Sequence, residues 1–160
     1  MCAKFSILKI EMSIEVYEGE TDLPEADRNL VMQANAAIDK AYAPYSNYFV
    51  GAAVSLENGE IVTGNNQENA AYPSGLCAER VAIFYASAKF PKIPVKAIAI
   101  VTKGDEPAAP CGACRQVIAE YEALSRKAIR VIIAAQNGKV FVSKSIETLL
   151  PLMFNRNHLK

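Results

Sequence analysis

A chain of 160 residues that is 51% hydrophobic and 21% charged has the make-up of one globular domain, which excludes a disordered or fibrous protein. Seventeen Lys and Arg balance 17 Asp and Glu, so nothing in the charge favours a nucleic-acid backbone as partner. Four cysteines are too few for a disulfide framework, and no apolar run approaches the roughly 18 residues that a membrane-spanning helix needs.

The first twenty residues carry Lys and Glu throughout, which predicts no secretory leader and points to the cytoplasm, where thiols stay reduced. Residues 7–17 alternate, with Ile10, Met12, Ile14 and Val16 on one side and Glu11, Ser13 and Glu15 on the other. That period of two predicts a half-buried strand near a sheet edge. Thr21, Pro24 and Glu25 open a helix whose apolar residues, Leu30, Val31, Ala34, Ala37, Ile38 and Ala41, recur at helical spacing to about Tyr42. The 43–47 segment, with its proline and asparagine, breaks it. Strands over 49–56 and 60–65 follow, joined by Asn58-Gly59, a hairpin signal. A polar loop then leads into a helix over 76–88. Residues 95–101 form a continuous apolar run, the mark of a buried strand. A further helix begins near Cys111, and strands over 129–135 and 139–142 flank Asn137-Gly138. A short helix from Ser145 to about Leu150 precedes the tail. No repeat or linker divides the chain, so residues 1–160 read as one domain of helices packed on a central sheet.

Three cysteines stand at the starts of two of these helices: Cys77 before Ala78-Glu79-Arg80, and Cys111 and Cys114 within Pro110-Cys111-Gly112-Ala113-Cys114-Arg115-Gln116. Residues three apart on a helix share a face, so the two later thiols point together. Helix N-termini favour thiolates through their free N–H groups and partial positive charge. Three thiolate ligands leave a fourth position on a tetrahedral zinc ion, which distinguishes a catalytic site from a closed structural one. Glu79, two residues past Cys77, is placed to exchange protons with water at that position. Taken alone, Cys111 and Cys114 fit a redox dithiol as well as a metal pair; the third cysteine and Glu79 favour the metal. A closed structural zinc site needs a fourth donor, and Cys2 or His158 is the available one.

In its pattern Cys-x-Glu followed by Pro-Cys-x-x-Cys, the chain resembles the zinc deaminases. It is similar to the small, homotetrameric, three-cysteine cytidine deaminases through further motifs in family order. These are residues 41–53, residues 64–73 and Leu149-Leu150-Pro151-Leu152-Met153-Phe154. The resemblance covers residues 24–154 and leaves an N-terminal strand extension, residues 1–20, outside the family core. It implies a three-layer α/β/α sandwich around a mixed, mostly five-stranded sheet. It also implies one zinc ion per chain, and hydrolytic deamination of free cytidine and 2′-deoxycytidine in pyrimidine salvage. Residue by residue, Cys77, Cys111 and Cys114 match the metal ligands and Glu79 the proton shuttle. Arg80 matches an arginine whose charge offsets the third thiolate. Asn66 and Glu68 match the pair that holds the ribose hydroxyls. Tyr72 matches a loop aromatic near a neighbouring subunit's nucleoside, and Phe154 an aromatic that covers the pyrimidine across a subunit boundary. Tyr48 stands where the family usually has the phenylalanine that stacks on the base. Tyr42, Tyr45 and Phe49 read as core and turn aromatics, and His158 as a solvated tail residue. The alternative substrate is another cytosine-containing small molecule such as a nucleoside antibiotic.

Overall fold

The structure, a computed structural model, describes residues 4–159. Its elements run β1 (Glu15–Tyr17), α1 (Glu25–Ala37), β2 (Val50–Leu56), β3 (Ile61–Asn65), α2 (Ala78–Lys89), β4 (Val95–Thr102), α3 (Gly112–Ser125), β5 (Arg130–Ala135) and β6 (Val140–Ser143). Short 3-10 turns cover Ile38–Lys40 after α1 and Ile146–Thr148 after β6, the second of these where a short helix was expected. The strands form one mixed sheet in the order β1-β6-β5-β4-β2-β3, in which β4 and β5 are parallel and every other pairing is antiparallel. Helices cover both faces, giving the three-layer α/β/α sandwich. Five strands make the body of the sheet, and β1 adds a sixth at the edge.

The apolar runs of β4 and β5 are buried on both sides, and their alternate residues serve different layers. Ile98, Ile100, Val131 and Ile133 pack with Ala82 and Ile83 of α2 and Ile118 of α3. Ala97, Ala99, Val101, Ile132 and Ala134 pack with Leu30, Val31 and Ala34 of α1. The small alanines on the second face let α1 lie close against the sheet. At the β2–β3 hairpin, Gly59 takes φ 86°, a conformation open to glycine, and Leu56 N–H reaches the Glu60 carbonyl at 2.9 Å.

The N-terminal strand is shorter than the alternation predicts, and its half-buried face is the opposite one: Glu15 and Tyr17 are partly buried, Tyr17 against the α1 side of the core, while Val16 is exposed. β6 offers partners to Glu15, Val16 and Tyr17 alone, because past Ser143 the chain turns into the Ile146–Thr148 turn. Residues 4–14 therefore have no ladder partner, and Phe5, Ile7, Leu8, Ile10 and Met12 stand in solvent, Ile7 at 85% exposure. The edge position itself is as expected. It is secured by Arg130 on β5, whose guanidinium donates to Asp27 of α1 at 2.7 Å and to Glu15 of β1 at 2.9 Å. The Arg130 hydrogen bond holds the Glu15 carboxyl below the ordinary carboxylate value, against the opposing effect of burial.

What places the functional end of the molecule is the position of β2 between β3 and β4. It runs antiparallel to both, so β3 and β4 point the same way, and Asn65 and Val101 both pair with Gly51. The two strands thus end level with each other, two sheet spacings or about 10 Å apart. Each feeds a loop and then a helix on the same face, and two packed helices also lie about 8–10 Å apart. The starts of α2 and α3 meet. Gly64 of β3 sets how closely α2 approaches, since a Cβ there would lie 2.5 Å from the Ala82 backbone nitrogen and 2.9 Å from the Ala78 carbonyl. Gly64→Ala should therefore push the first turns of α2 outward. The expected result is a loss of about 1–3 kcal/mol in thermal or denaturant unfolding together with a reduced zinc content, measured on the same preparation.

Candidate active site

Cys77 and Cys111 occupy the N-cap positions of α2 and α3, and neither helix start is capped by a side chain. The first-turn N–H groups and the positive end of each helix therefore stand beside the sulfurs. Cys77 Sγ is 3.8 Å from Cys111 Sγ, and Cys111 Sγ is 3.5 Å from Cys114 Sγ; all three lie within 4.8 Å of one another. Thiolates about 2.3 Å from a tetrahedral zinc ion stand about 3.8 Å apart, so the cluster fits one zinc ion. It is the one such cluster of potential ligands among the described residues. His158 lies elsewhere, its ring stacked on Phe154 with centroids 5.5 Å apart, and Cys2 falls outside the described residues.

The electrostatics suit metal binding. Arg80 Nη2 points at Cys77 Sγ from 3.8 Å, and Arg80 Nε is buried without a hydrogen-bond partner. A hydrogen bond from the Cys114 thiol, reinforced by Arg80 and Cys111 against the effect of burial, brings the Cys77 thiol down to about 5. The Cys114 proton is correspondingly held in place, by its bond to Cys77, by burial and by the nearby Glu79. Burial opposes charge on Arg80, yet its contacts with Cys77 and Cys114 keep the guanidinium firmly protonated. Glu79, in the first turn of α2, is only 5% exposed. Desolvation pushes its carboxyl above the ordinary value and the Cys77 thiolate adds to the effect, while its own backbone N–H and Arg80 pull the other way. A carboxyl shifted in this direction holds a proton more readily than an exposed one, which suits a group that takes up and gives back protons.

Beside the cysteines opens a cleft of about 450 Å³, a size suited to a small ligand. Its lining includes Asn66, Glu68, Tyr72, Cys77 and Arg80, together with Tyr45 and Ser46. The loop after β3 is held against the start of α2 by a pair of 2.9 Å hydrogen bonds between the Gln67 and Leu76 backbones. Asn66 Oδ1 accepts from Val50 N–H at 2.9 Å and its Nδ2 donates to the Tyr48 carbonyl at 2.8 Å. The Glu68 carboxylate accepts from Tyr45 N–H at 2.8 Å, from Ser46 N–H at 3.3 Å and from the Ser46 hydroxyl. The Ser46 hydroxyl and those backbone donors hold Glu68 below the ordinary carboxylate value. Asn66 and Glu68 thus also brace the cleft wall, a role that the motif did not suggest. Tyr45 sits in a turn, as expected, but its ring also belongs to the site. It is half exposed, lines the cleft and meets Tyr72 edge-on with ring centroids 6.3 Å apart. Its place three residues before Tyr48 in the same loop was the available signal. Tyr42, also read as core or turn, is likewise half exposed, whereas Phe49 packs on the α1 side of the core as expected. Tyr48 and Phe154 do not line this cleft; both are about half exposed, at 48% and 56%, whereas Tyr72 lines it while 78% exposed.

Three thiols gathered at two helix starts with a buried carboxyl beside them define a zinc-dependent hydrolytic enzyme on an α/β/α scaffold. The chain belongs to the cytidine and deoxycytidylate deaminase family, since residues 24–135 match the family's zinc-binding region. It is 38% identical over 130 residues to a cytidine deaminase of Sporosarcina psychrophila, a span of 81% of this chain and 92% of that one. A crystal structure of cytidine deaminase from Burkholderia pseudomallei superposes with a TM-score of 0.72 at 42% identity, covering 82% of this chain and all of the other. A blasticidin-S deaminase of Bacillus cereus is 29% identical over 143 residues, 85% of this chain and 97% of that protein. The match to a zinc-binding region and the third thiol beside them favour a metal pair over a redox pair for Cys111 and Cys114.

Arg80→Ala should weaken zinc binding by about 10–100-fold, the usual cost of losing a group that supports metal ligands. Competition with a chromophoric chelator measures this, and an unchanged affinity removes Arg80 from the metal centre.

Proposed function

We propose that this chain hydrolyses cytidine and 2′-deoxycytidine to the uridine forms and ammonia, consuming one water per turnover, with residues 1–160 acting as one deaminase domain. The observation that carries this reading is the buried Glu79 beside a three-thiol cluster in a member of the deaminase family. Cys77, Cys111 and Cys114 hold the zinc ion, whose Lewis acidity makes water a competent nucleophile near neutral pH. Glu79 takes the proton released as water adds to C4 of the pyrimidine, delivers it to N3, and then carries a proton to the departing amine. Arg80 offsets the negative charge that three thiolates bring to a divalent ion.

Asn66 and Glu68 retain the capacity to hold a ribose diol. After its two internal bonds Asn66 keeps one N–H and one acceptor lone pair, and the ionised Glu68 keeps a free acceptor site for a hydroxyl donor. The base stacks on Tyr48 of its own chain. Tyr72 and Phe154, exposed in the single chain, complete neighbouring sites in a homotetramer. Zero net charge favours a free nucleoside over a polynucleotide, and among the described residues no helix is long and apolar enough to cross a membrane. Three free thiols at the centre suit the cytoplasm.

Glu79→Gln tests the chemistry. An amide can hydrogen-bond but cannot shuttle a proton, so ammonia release from cytidine should fall by about 10²–10⁴-fold or more while zinc content stays at one per chain. Near-normal turnover excludes Glu79 as the shuttle. Running blasticidin S beside cytidine in the same assay decides the substrate, and turnover of the antibiotic alone overturns the nucleoside assignment. Phe154→Ala tests the shared site: loss of base stacking, worth about 1–3 kcal/mol, should raise the KM for cytidine by about five-fold to a hundred-fold. Sedimentation of the wild type at assay concentration accompanies it, and a fully active monomer contradicts the shared site.

A further inference from the structure

The helix turn that carries Cys114 continues with Arg115 and Gln116, and neither side chain stays at the metal cluster. Arg115 Nε donates to the Pro110 carbonyl at 2.7 Å, immediately ahead of Cys111, and its Nη1 donates to the Leu149 carbonyl at 2.9 Å. Gln116 Nε2 donates to the Phe154 carbonyl at 2.8 Å. Successive residues on a helix diverge by about 100°, so one rigid turn holds a metal ligand and reaches the tail at two points. Between those points the tail has no helix or strand; Leu150 and Met153 pack against the core, and among the described residues the Phe154 ring itself meets only that of His158. The Ile146–Thr148 turn ends before Leu149, and Leu152 lies exposed in the left-handed region at φ 57°.

We propose that Arg115 and Gln116 are positioning residues that fix Phe154 relative to the cysteine cluster. Arg115 clamps the entry to the metal loop and the start of the tail with one planar guanidinium, a bridge that a lysine ammonium cannot reproduce in the same fork geometry. Gln116 holds the backbone of Phe154 itself. The placement of the aromatic then follows from the same helix turn that places Cys114. The inference rests on the reading of Phe154 as a substrate contact across a subunit boundary, and the test separates the two.

The chain contains no tryptophan, so Phe154→Trp places a single fluorophore at the end of the strap. In that background, on the zinc-loaded full-length protein, Gln116→Ala should raise the acrylamide quenching constant by about two-fold or more and lower the anisotropy, since loss of one hydrogen bond shifts a held conformer by about two- to ten-fold. Arg115→Lys, which keeps the charge, serves as the second variant and should do the same. Zinc content and far-ultraviolet dichroism are followed to show that the fold persists. Without the tryptophan, Gln116→Ala should raise the KM for cytidine by about two- to ten-fold with kcat within about two-fold of wild type. Its effect should disappear when combined with Phe154→Ala. Unchanged quenching and anisotropy in both variants overturn the positioning role. So does a KM effect that persists undiminished in the Phe154→Ala background, or a Phe154→Ala that raises KM when Gln116→Ala does not. Altered fluorescence with a normal KM for Phe154→Ala leaves the positioning intact and overturns the reading of Phe154 as a substrate contact.

Discussion

The whole centre depends on one strand lying between two others. Because β2 is antiparallel to both β3 and β4, and because Gly51 is the pairing partner of both Asn65 and Val101, the two outgoing chains leave the sheet side by side. Cys77 and Cys111 lie 34 residues apart in sequence, and the register of that three-strand unit brings their sulfurs to 3.8 Å. Gly64 and the small residues around α2 allow the helix to settle where its first turn can contribute to the cluster. Shifting the register of β2 against either neighbour by one residue would displace one helix start relative to the other and disperse the thiols.

Two buried carboxyls illustrate how environment assigns a role. Glu122 accepts hydrogen bonds from Ile129 N–H at 2.7 Å, from the Ser145 hydroxyl at 2.6 Å and from Ile146 N–H at 3.1 Å. Surrounded by donors, it joins the end of α3 to β5 and to the turn that starts the tail. Glu79 is buried without such a ring of donors and lies against a thiolate, so its charged form is penalised. The first arrangement fixes a structure, and the second is the environment that the proposed proton shuttle needs. The residue type is the same, and the partners decide.

Much of this was legible from residue pattern because it depends on short-range chemistry. The hairpin at Asn58-Gly59, the doubly buried runs of β4 and β5, and the helix starts at Cys77 and Cys111 follow from local sequence. The grouping of the cysteines with Glu79 was visible in their spacing. What could not be read are features set by distant partners. The alternation of residues 7–17 has the form of a strand, but strand length is decided by how much of β6 remains to pair with it. Arg115 and Gln116 are ordinary helix residues until the tail folds back over them, and Glu122 shows its purpose only through Ser145 and Ile146. Tyr45 lies in its turn as expected, but nothing in the local sequence shows that its ring is turned towards Tyr72.

The order of the sheet also has a temporal consequence. Cys111 and Cys114 are neighbours on one turn, but Cys77 joins them only after a strand from the middle of the chain has paired on both sides. Contacts of that sequence separation form slowly compared with local ones, because loop closure precedes their reward. The full three-thiol cluster is therefore completed by the folded sheet, unlike that of small zinc modules whose chains fold around the ion. The aliphatic layers on both faces supply the stability of the scaffold, and the ion is received as a late arrival. A newly made chain has its framework before it has its reactivity.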